Sequence, residues 1–444
     1  MTTEAVKTEN NYQAAFRALK ERKPTVAWVE LVRDSAMDRF ESLGFPAVTN
    51  EEWKYTNLGP LAKQDFSAAS PRAVPDNAGQ FSFPETHESH IVLVNGILHP
   101  ELSRTKNLEG VVAIDLFSAI ADARYSKVVR NYLARNANYH DRGLTALNTA
   151  FLESGLFVLV PKNFQMESPL QITCIADSID TGVANFPRVL FVAEENSSAK
   201  LVERFVSVGQ QSTFTNSVVE VVLMDGARLK HDRLQQEGSA AFHVATTSAE
   251  LGRGSSYNST AINLGAKLAR HDISVVMNHE GAECWVDGLY VVGSNQHSDT
   301  HSVIDHKQPY CNSHQLYKGI LDGNGRAVFN GKIFVREGAQ KTDAMQTNKN
   351  LLLSPAARVD TKPQLEIYAD DVKCAHGAAV GQLDQEELFY LETRGIGPEL
   401  GKSLLTYGFA EEVIGKIGIE SIRTQLDQAV LSQIHAPLKT EVQL

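Results

Sequence analysis

A chain of 444 residues is too long for one ordinary hydrophobic core and predicts about three domains. With 43% hydrophobic and 21% charged residues it has the usage of a globular protein, not of a disordered one. The formal charge of −11 argues against a general nucleic-acid or anionic-membrane surface, because those partners need clustered Lys and Arg. Residues 1–25 hold no apolar signal core, and no stretch nears the roughly 20 apolar residues of a membrane span. The expectation is a cytoplasmic protein. Its four widely spaced cysteines, Cys174, Cys284, Cys311 and Cys374, then read as reduced thiols and not as a disulfide framework.

The first segment, 1–150, is expected to be helical at its start and mixed beyond. From Thr25 onward, Trp28, Leu31, Val32, Phe40 and Leu43 predict one apolar helix face. Gly44 stands where a left-handed C-terminal cap belongs. A Pro/Gly/Ser-rich patch over 67–84 reads as a loop. The run HIVLVNGIL (90–98) reads as a hairpin, with Asn95-Gly96 as a type I′ turn.

The middle segment, 151–380, is a succession of short β-rich runs at 188–193, 201–208, 217–224, 273–277, 288–292, 327–335 and 364–368. No amphipathic stretch of helical length separates them, which excludes a βαβ sheet. Small-residue steps punctuate the runs: Asp225-Gly226-Ala227, Gly265-Ala266, Gly281-Ala282, Gly325-Arg326-Ala327, Gly338-Ala339 and Ala356-Ala357. Their irregular spacing disfavours a fixed-period solenoid. A β-helix with variable corners and a double-sheet β-sandwich both fit this pattern.

The last segment, 381–444, returns to helix. Asp384 and Glu387 resemble a capping box. Gly395, Gly397 and Pro398 interrupt the pattern, and Ile422, Leu426, Ala429 and Val430 share a face of a final helix. The segment RGIGPELGKS (394–403) looks like a phosphate-binding loop but has the wrong spacing: five residues separate Gly395 from Gly401, and three separate Gly397 from it, where four are needed. It reads as a helix–turn–helix. No nucleotide is expected on this chain, and no catalytic motif is present.

Two groups of residues carry candidate metal chemistry. His297, His301, His306 and His314 lie close in sequence, and His297 with His301 would share a strand face. Their intervals of four, five and eight keep to no single geometry, so hydrogen-bonding roles on coil exteriors and turns are expected. Cys374 and His376 end the β-rich region and would project from the same face of a last strand. A thiolate beside an imidazole suits iron. A structural C-x-H pair is the plainer alternative, and further ligands would have to come from elsewhere in the chain or from a second subunit across the exposed end.

Longer runs identify the chain. GLTALNTAFLESGLFVLVPKN (143–163), the run from NGKIFVREGAQKTD to VKCAHGA (330–378), LFYLETRGI (388–396) and EEWKYTNL (51–58) resemble the SufB/SufD family of iron–sulfur cluster assembly proteins. SufB-like chains read His-Glu-Ala-Thr where this one has His376-Gly377-Ala378-Ala379, so the form is SufD-like. The resemblance implies a right-handed parallel β-helix core with N-terminal and C-terminal helical domains. It also implies a non-catalytic scaffold that pairs with a SufB-like paralogue through the β-helix ends and docks the SufC-like ABC ATPase on its C-terminal helices. Without those partners a homodimer is the expected state. Iron or a transient Fe–S cluster would sit at the junction with SufB. His376 matches the histidine implicated there, Cys374 accompanies it in the motif, and Tyr390 and Arg394 would be structural or SufC-facing. The alternatives are a SufB-like primary cluster scaffold, which the missing glutamate disfavours, and a carbohydrate-active β-helix enzyme, which would normally be exported.

Overall fold

The computed structural model describes residues 11–23, 25–68, 78–178 and 182–433. From Ser198 to Gly381 the chain repeats one move: a strand of eight to twelve residues in one sheet, a corner, then a strand in a second sheet. Thr213–Leu223, Phe242–Leu251, Leu268–Met277, His297–His306, Arg326–Val335 and Arg358–Ile367 follow one another in the first sheet. Ser198–Gly209, Arg228–Gln235, Ser256–Asn263, Glu283–Val292, Asn312–Leu321, Asp343–Leu352 and Lys373–Gly381 follow one another in the second. Each of these strands pairs in parallel with the strand one coil away. The result is a β-solenoid of about seven turns with helices at both ends. Parallel pairing across successive coils excludes the sandwich alternative, whose sheets are antiparallel.

The coil length varies, which is why no fixed period is visible in the sequence. Paired residues are 26 apart at Phe242 and Leu268 but 32 apart at Arg326 and Arg358. One corner is nonetheless regular. Asn163, Asn196, Gly226, Gly254, Gly281, Tyr310 and Lys341 all adopt positive φ, between 57° and 71°. Each donates its N–H to a carbonyl of the following coil, from Asn163 to Glu195 (2.9 Å) through Lys341 to Asp371 (2.7 Å). Six of the seven are followed by a buried small residue: Ser197, Ala227, Ser255, Ala282, Cys311 and Thr342. Sharp corners leave little volume inside, so small side chains are needed there. The Asp225-Gly226-Ala227 and Gly281-Ala282 steps belong to this corner; Gly265, Gly325 and Gly338 do not.

The N-terminal segment caps the first coils. Hairpin His90–Val94 with Ile97–Leu98 joins the second sheet through Leu170–Ser178. Asn95 and Gly96 both have positive φ (50° and 81°), the geometry a type I′ turn requires. Helix Gly143–Ala150 is buried from Leu144 onward against helix Ala27–Leu43 and the first sheet. Residues 69–77 of the expected loop at 67–84 lie outside the described residues; Ser67–Ala68 forms a short strand paired with Val183–Asn185. All four cysteines are free thiols.

One helix face differs from the apolar pattern. The buried stripe of Ala27–Leu43 is Val29, Arg33, Ala36, Met37 and Phe40, while Leu31 is 70% exposed and Leu43 lies outside. Arg33 occupies the stripe because its guanidinium donates to the Lys23 carbonyl and lies over the Phe16 ring. A charged residue on the core side masked the true period. Gly44 does end the helix with positive φ, at φ 64° and ψ −164°, a conformation beyond the left-handed helical region.

The C-terminal helices Pro398–Ile414 and Glu420–Gln433 cover the outer face of the second sheet. Ala410, Val413, Ile414, Ile417, Ile422, Leu426 and Val430 pack on Leu234, Ile262, Leu289, Val291 and Ile320. Lys416 pairs with buried Asp287 at 2.7 Å, fixing the turn between the helices to the sheet. These helices are therefore part of the solenoid's packing. Truncation at about residue 384 would strip this sheet face and cannot isolate one docking role.

Candidate functional site at the open end of the solenoid

The sheets end on Arg358–Ile367 and Lys373–Gly381, whose outer edges no described strand pairs. An edge of this kind presents free N–H and C=O groups and has to be covered or blunted. Ile367, Tyr368 and Val380 stand exposed around it. Alternation along Lys373–Gly381 places Cys374, His376, Ala378 and Val380 on one face. The register identifies that face as the lumen. Cys374 pairs with buried Ala344 and His376 with buried Gln346. Ala344 and Gln346 are buried because another coil lies over them. Among the described residues nothing lies over Cys374 and His376, so the thiol is half-buried and the imidazole exposed.

The two side chains differ in chemistry as a result. Burial pushes the Cys374 thiol above its ordinary value, and the nearby Asp343 charge adds to that shift. His376 stands in water. Below it the lumen wall is polar: Gln346 Nε2 donates to Gln315 Oε1 (2.7 Å), and Ser302 Oγ donates to the same oxygen (3.1 Å). Asn348 and Thr361 bond across the lumen at 2.8 Å. As a donor set for iron, Cys374 and His376 are chemically suitable but incomplete. Among the described residues no group of three or more His, Cys, Asp or Glu is placed to hold a metal ion.

The four middle histidines are not one cluster. His297 and His301 do share the outward face of His297–His306, where the motif at 51–58 engages them. Thr56 Oγ1 lies 2.8 Å from His297 Nε2 and donates to Asp299 Oδ2 at 2.6 Å. His301 bridges Glu52 and Asp299, each at 3.2 Å. Arg270 pairs with Asp299 and Asp272 in the same layer. A cavity of about 680 Å³ opens beside it, lined by Trp53, Arg270, His301, Lys332 and Phe334 among others. His306 instead faces the lumen, 2.9 Å from Ser313 Oγ, and burial lowers its pKa to about 4. His314 stacks on Trp285 on the outer face of the second sheet.

Comparison with known proteins gives the family of the chain. Residues 175–409 match the SUF system FeS cluster assembly SufBD core domain, and residues 6–172 match the SufBD protein N-terminal region. This chain belongs to the SufBD family. It is 35% identical to an iron–sulfur cluster assembly SufBD family protein of Synechocystis sp., over 90% of this chain and 89% of that one. The iron–sulfur cluster assembly protein SufD of Escherichia coli is 32% identical over 86% of this chain and 88% of its own. SufD of Bacillus subtilis is 28% identical over 93% and 96%.

In this SufBD chain the helix Gln385–Thr393 follows the last strand directly, capped by Asp384 accepting the Glu386 N–H at 2.8 Å. Arg394 Nη2 donates to Tyr390 Oη at 3.1 Å, and its guanidinium carbon lies 5.1 Å from the ring centroid. The structure thus brings Tyr390 and Arg394 together, with Phe389, Leu400 and Leu404 exposed on the same helix–turn–helix. Residues 394–403 form its turn and the start of helix Pro398–Ile414. A helix precedes the turn, not the strand a phosphate loop requires, and Lys402 pairs with Glu399.

The lumen holds charged residues that the pattern of the sequence does not reveal. Glu203 Oε2 lies 2.7 Å from His231 Nε2, whose Nδ1 is 2.9 Å from the Tyr257 hydroxyl. Arg233, His243 and Glu237 continue the cluster, all buried. A strand such as RLKHDRLQ (228–235) reads as a polar loop until the register shows which side chains face inward.

Proposed function

We propose that this chain is a SufD-like scaffold subunit of the cytosolic SUF machinery. Its open solenoid end pairs with a SufB-like paralogue, and the exposed face of its C-terminal helices docks a SufC-like ABC ATPase. His376, with Cys374 beside it, supplies ligands to iron or a nascent cluster held at the junction as cargo. The chain itself performs no hydrolysis. The observation that carries the reading is His376 projecting, exposed, from the lumen face of the last strand, Lys373–Gly381, at the open end of the solenoid. Two donors cannot complete an iron coordination sphere, and a partner seated on the edge strands would bring the others. Phe389, Tyr390, Leu400 and Leu404 form a separate apolar surface beyond that edge, suited to a second partner.

Anaerobic co-expression with SufB-like and SufC-like chains tests the reading. His376→Ala should leave assembly and melting temperature nearly unchanged, since exposed substitutions fall within about 0.5 kcal/mol. Bound iron and acid-labile sulfide should drop sharply. Cys374→Ser should match that loss if the thiol is a co-ligand and fall short of it if it is only a neighbour. Val380→Lys should abolish SufB pairing and spare the ATPase; Phe389→Glu should do the reverse. Wild-type cluster content in the His376→Ala complex would remove the ligand role.

A further inference from the structure

The side chain beneath His376 has a feature that its hydrogen-bonding partners do not account for. Gln346 is 1% exposed and is the register partner of His376, one strand spacing (about 4.8 Å) down the same lumen column. Its Nε2 is committed to Gln315 Oε1. Its Oε1 is buried and has no hydrogen-bond partner. The carboxamide is confined as well. A Cβ built on Gly331 of the facing sheet would stand 2.3 Å from Gln346 Nε2, so the glycine clears the space the amide fills. On the other side Gln315 is itself anchored by the Ser302 hydroxyl. A fixed, unused acceptor therefore lies directly beneath an imidazole whose neutral form carries one N–H and one lone pair.

We infer that Gln346 is a positioning residue for His376: its Oε1 accepts the N–H of one ring nitrogen and leaves the lone pair of the other directed out of the lumen, where a metal is met. The functional meaning rests on the ligand role proposed for His376; the hydrogen bond itself does not. Ligating histidines generally donate their second N–H to an acceptor that fixes tautomer and ring orientation. Here the acceptor comes from the preceding coil, 30 residues earlier in the sequence. The Ser302–Gln315–Gln346 chain would be the scaffold's own contribution to the geometry of an otherwise exposed ligand. Gly331 would serve it by making room.

Long-range proton–nitrogen correlation on the labelled full chain, at about pH 8 where imidazoles are neutral, reads the tautomer directly, with His376 assigned by its loss in His376→Ala. The wild type should show one dominant tautomer at His376. Gln346→Leu should give the mixed tautomers of a solvent-exposed imidazole, and Gln346→Glu, which keeps an acceptor, should restore a single one. Gln346→Met, close in volume, replaces the leucine variant should that one fail to fold. In the three-chain complex the apolar variants should weaken iron loading by about 10–100-fold, the range for outer-shell partners. A mixed tautomer in the wild type, or the same ratio in the wild type and the apolar variants, overturns the inference. The nitrogen readout involves no cluster, so normal cluster content in His376→Ala would remove the ligand role and leave the hydrogen bond standing.

Discussion

Arg270 lies over Trp53, its guanidinium carbon 3.7 Å from the ring centroid. The same guanidinium donates to the Glu52 carbonyl at 2.8 Å and to buried Asp299 at 2.7 Å. Residues more than 200 positions apart thus clamp the motif at 51–58 to the outer face of the solenoid. Asp272 and Asp299 both depend on this one arginine, with His301 as a second partner of Asp299.

Arg270→Ala should therefore destabilise the chain by about 3–5 kcal/mol, the usual cost of stripping one partner from a buried ion pair. Trp53→Leu should cost less, since the ring adds about 0.5–2 kcal/mol of cation–π attraction together with its packing. Arg270→Lys should recover only part of the loss, because an ammonium cannot fork between two carboxylates and a carbonyl. Denaturant titration measures all three. Equal stability of the alanine variant and the wild type would mean that the clamp contributes nothing.

His301 should make that clamp pH-dependent. Burial is the largest influence and acts to lower its pKa, with Arg270 acting the same way, but the Asp299 charge and the hydrogen bonds to Asp299 and Glu52 together outweigh them, and the net shift is upward. A raised folded-state pKa means that the folded protein holds the proton more tightly. The stabilisation is fully present below the ordinary histidine value of about 6.5 and is lost as pH rises through the raised one. The stability difference between wild type and His301→Gln should accordingly be larger at about pH 6 than at about pH 9. A constant difference across that range would show that His301 carries no charge in the clamp.

Asp232 carries the opposite kind of liability. It sits on the outer face of Arg228–Gln235 between Lys230, which donates to the Lys416 carbonyl, and Leu234, which packs under the C-terminal helices. Burial pushes its carboxyl up to about 6, against the pull of Lys230 and His231. The protonated form is the favoured one, so its stabilisation is present below about pH 4 and lost as pH rises through about 6. Asp232→Asn should be more stable than wild type by about 1–3 kcal/mol at pH 7.5 and show little gain below about pH 4, one unit being worth about 1.4 kcal/mol. Melting curves at the two pH values decide it; a gain that does not vary with pH would point to packing instead.

Glu220 ties the N-terminal cap to the solenoid. Its carboxylate accepts the N–H groups of Ala134, Arg135 and Ala137 at 3.0–3.1 Å and pairs with Arg188 at 2.6 Å, both side chains fully buried. Glu220→Gln leaves Arg188 uncompensated and should cost about 3–5 kcal/mol. Hydrogen exchange should localise the loss to 134–137, with the far end of the solenoid still protected. Uniform loosening of the whole chain would contradict this division.

Local chemistry was enough to read the hairpin at Asn95-Gly96, the C-terminal helix–turn–helix, the apolar run 188–193 and the family of the chain. It was also enough to put Cys374 and His376 on one face, because a strand alternates with period two whatever surrounds it. Arg228–Gln235, His297–His306 and Asn312–Leu321 were not legible as strands. Their inward positions carry histidine, arginine and glutamine, side chains whose burial depends on partners one coil away. Arg33 hid the face of Ala27–Leu43 for a related reason, its charge being met by Glu30 on the same helix and by the Lys23 carbonyl and Phe16 ring outside it. Only the tertiary register decided that Cys374 and His376 face the lumen, that no further coil among the described residues covers them, and that Gln346 lies beneath the imidazole. Those facts depend on coils of 26 to 32 residues stacking in parallel, and a variable period leaves no fixed spacing for a sequence pattern to repeat.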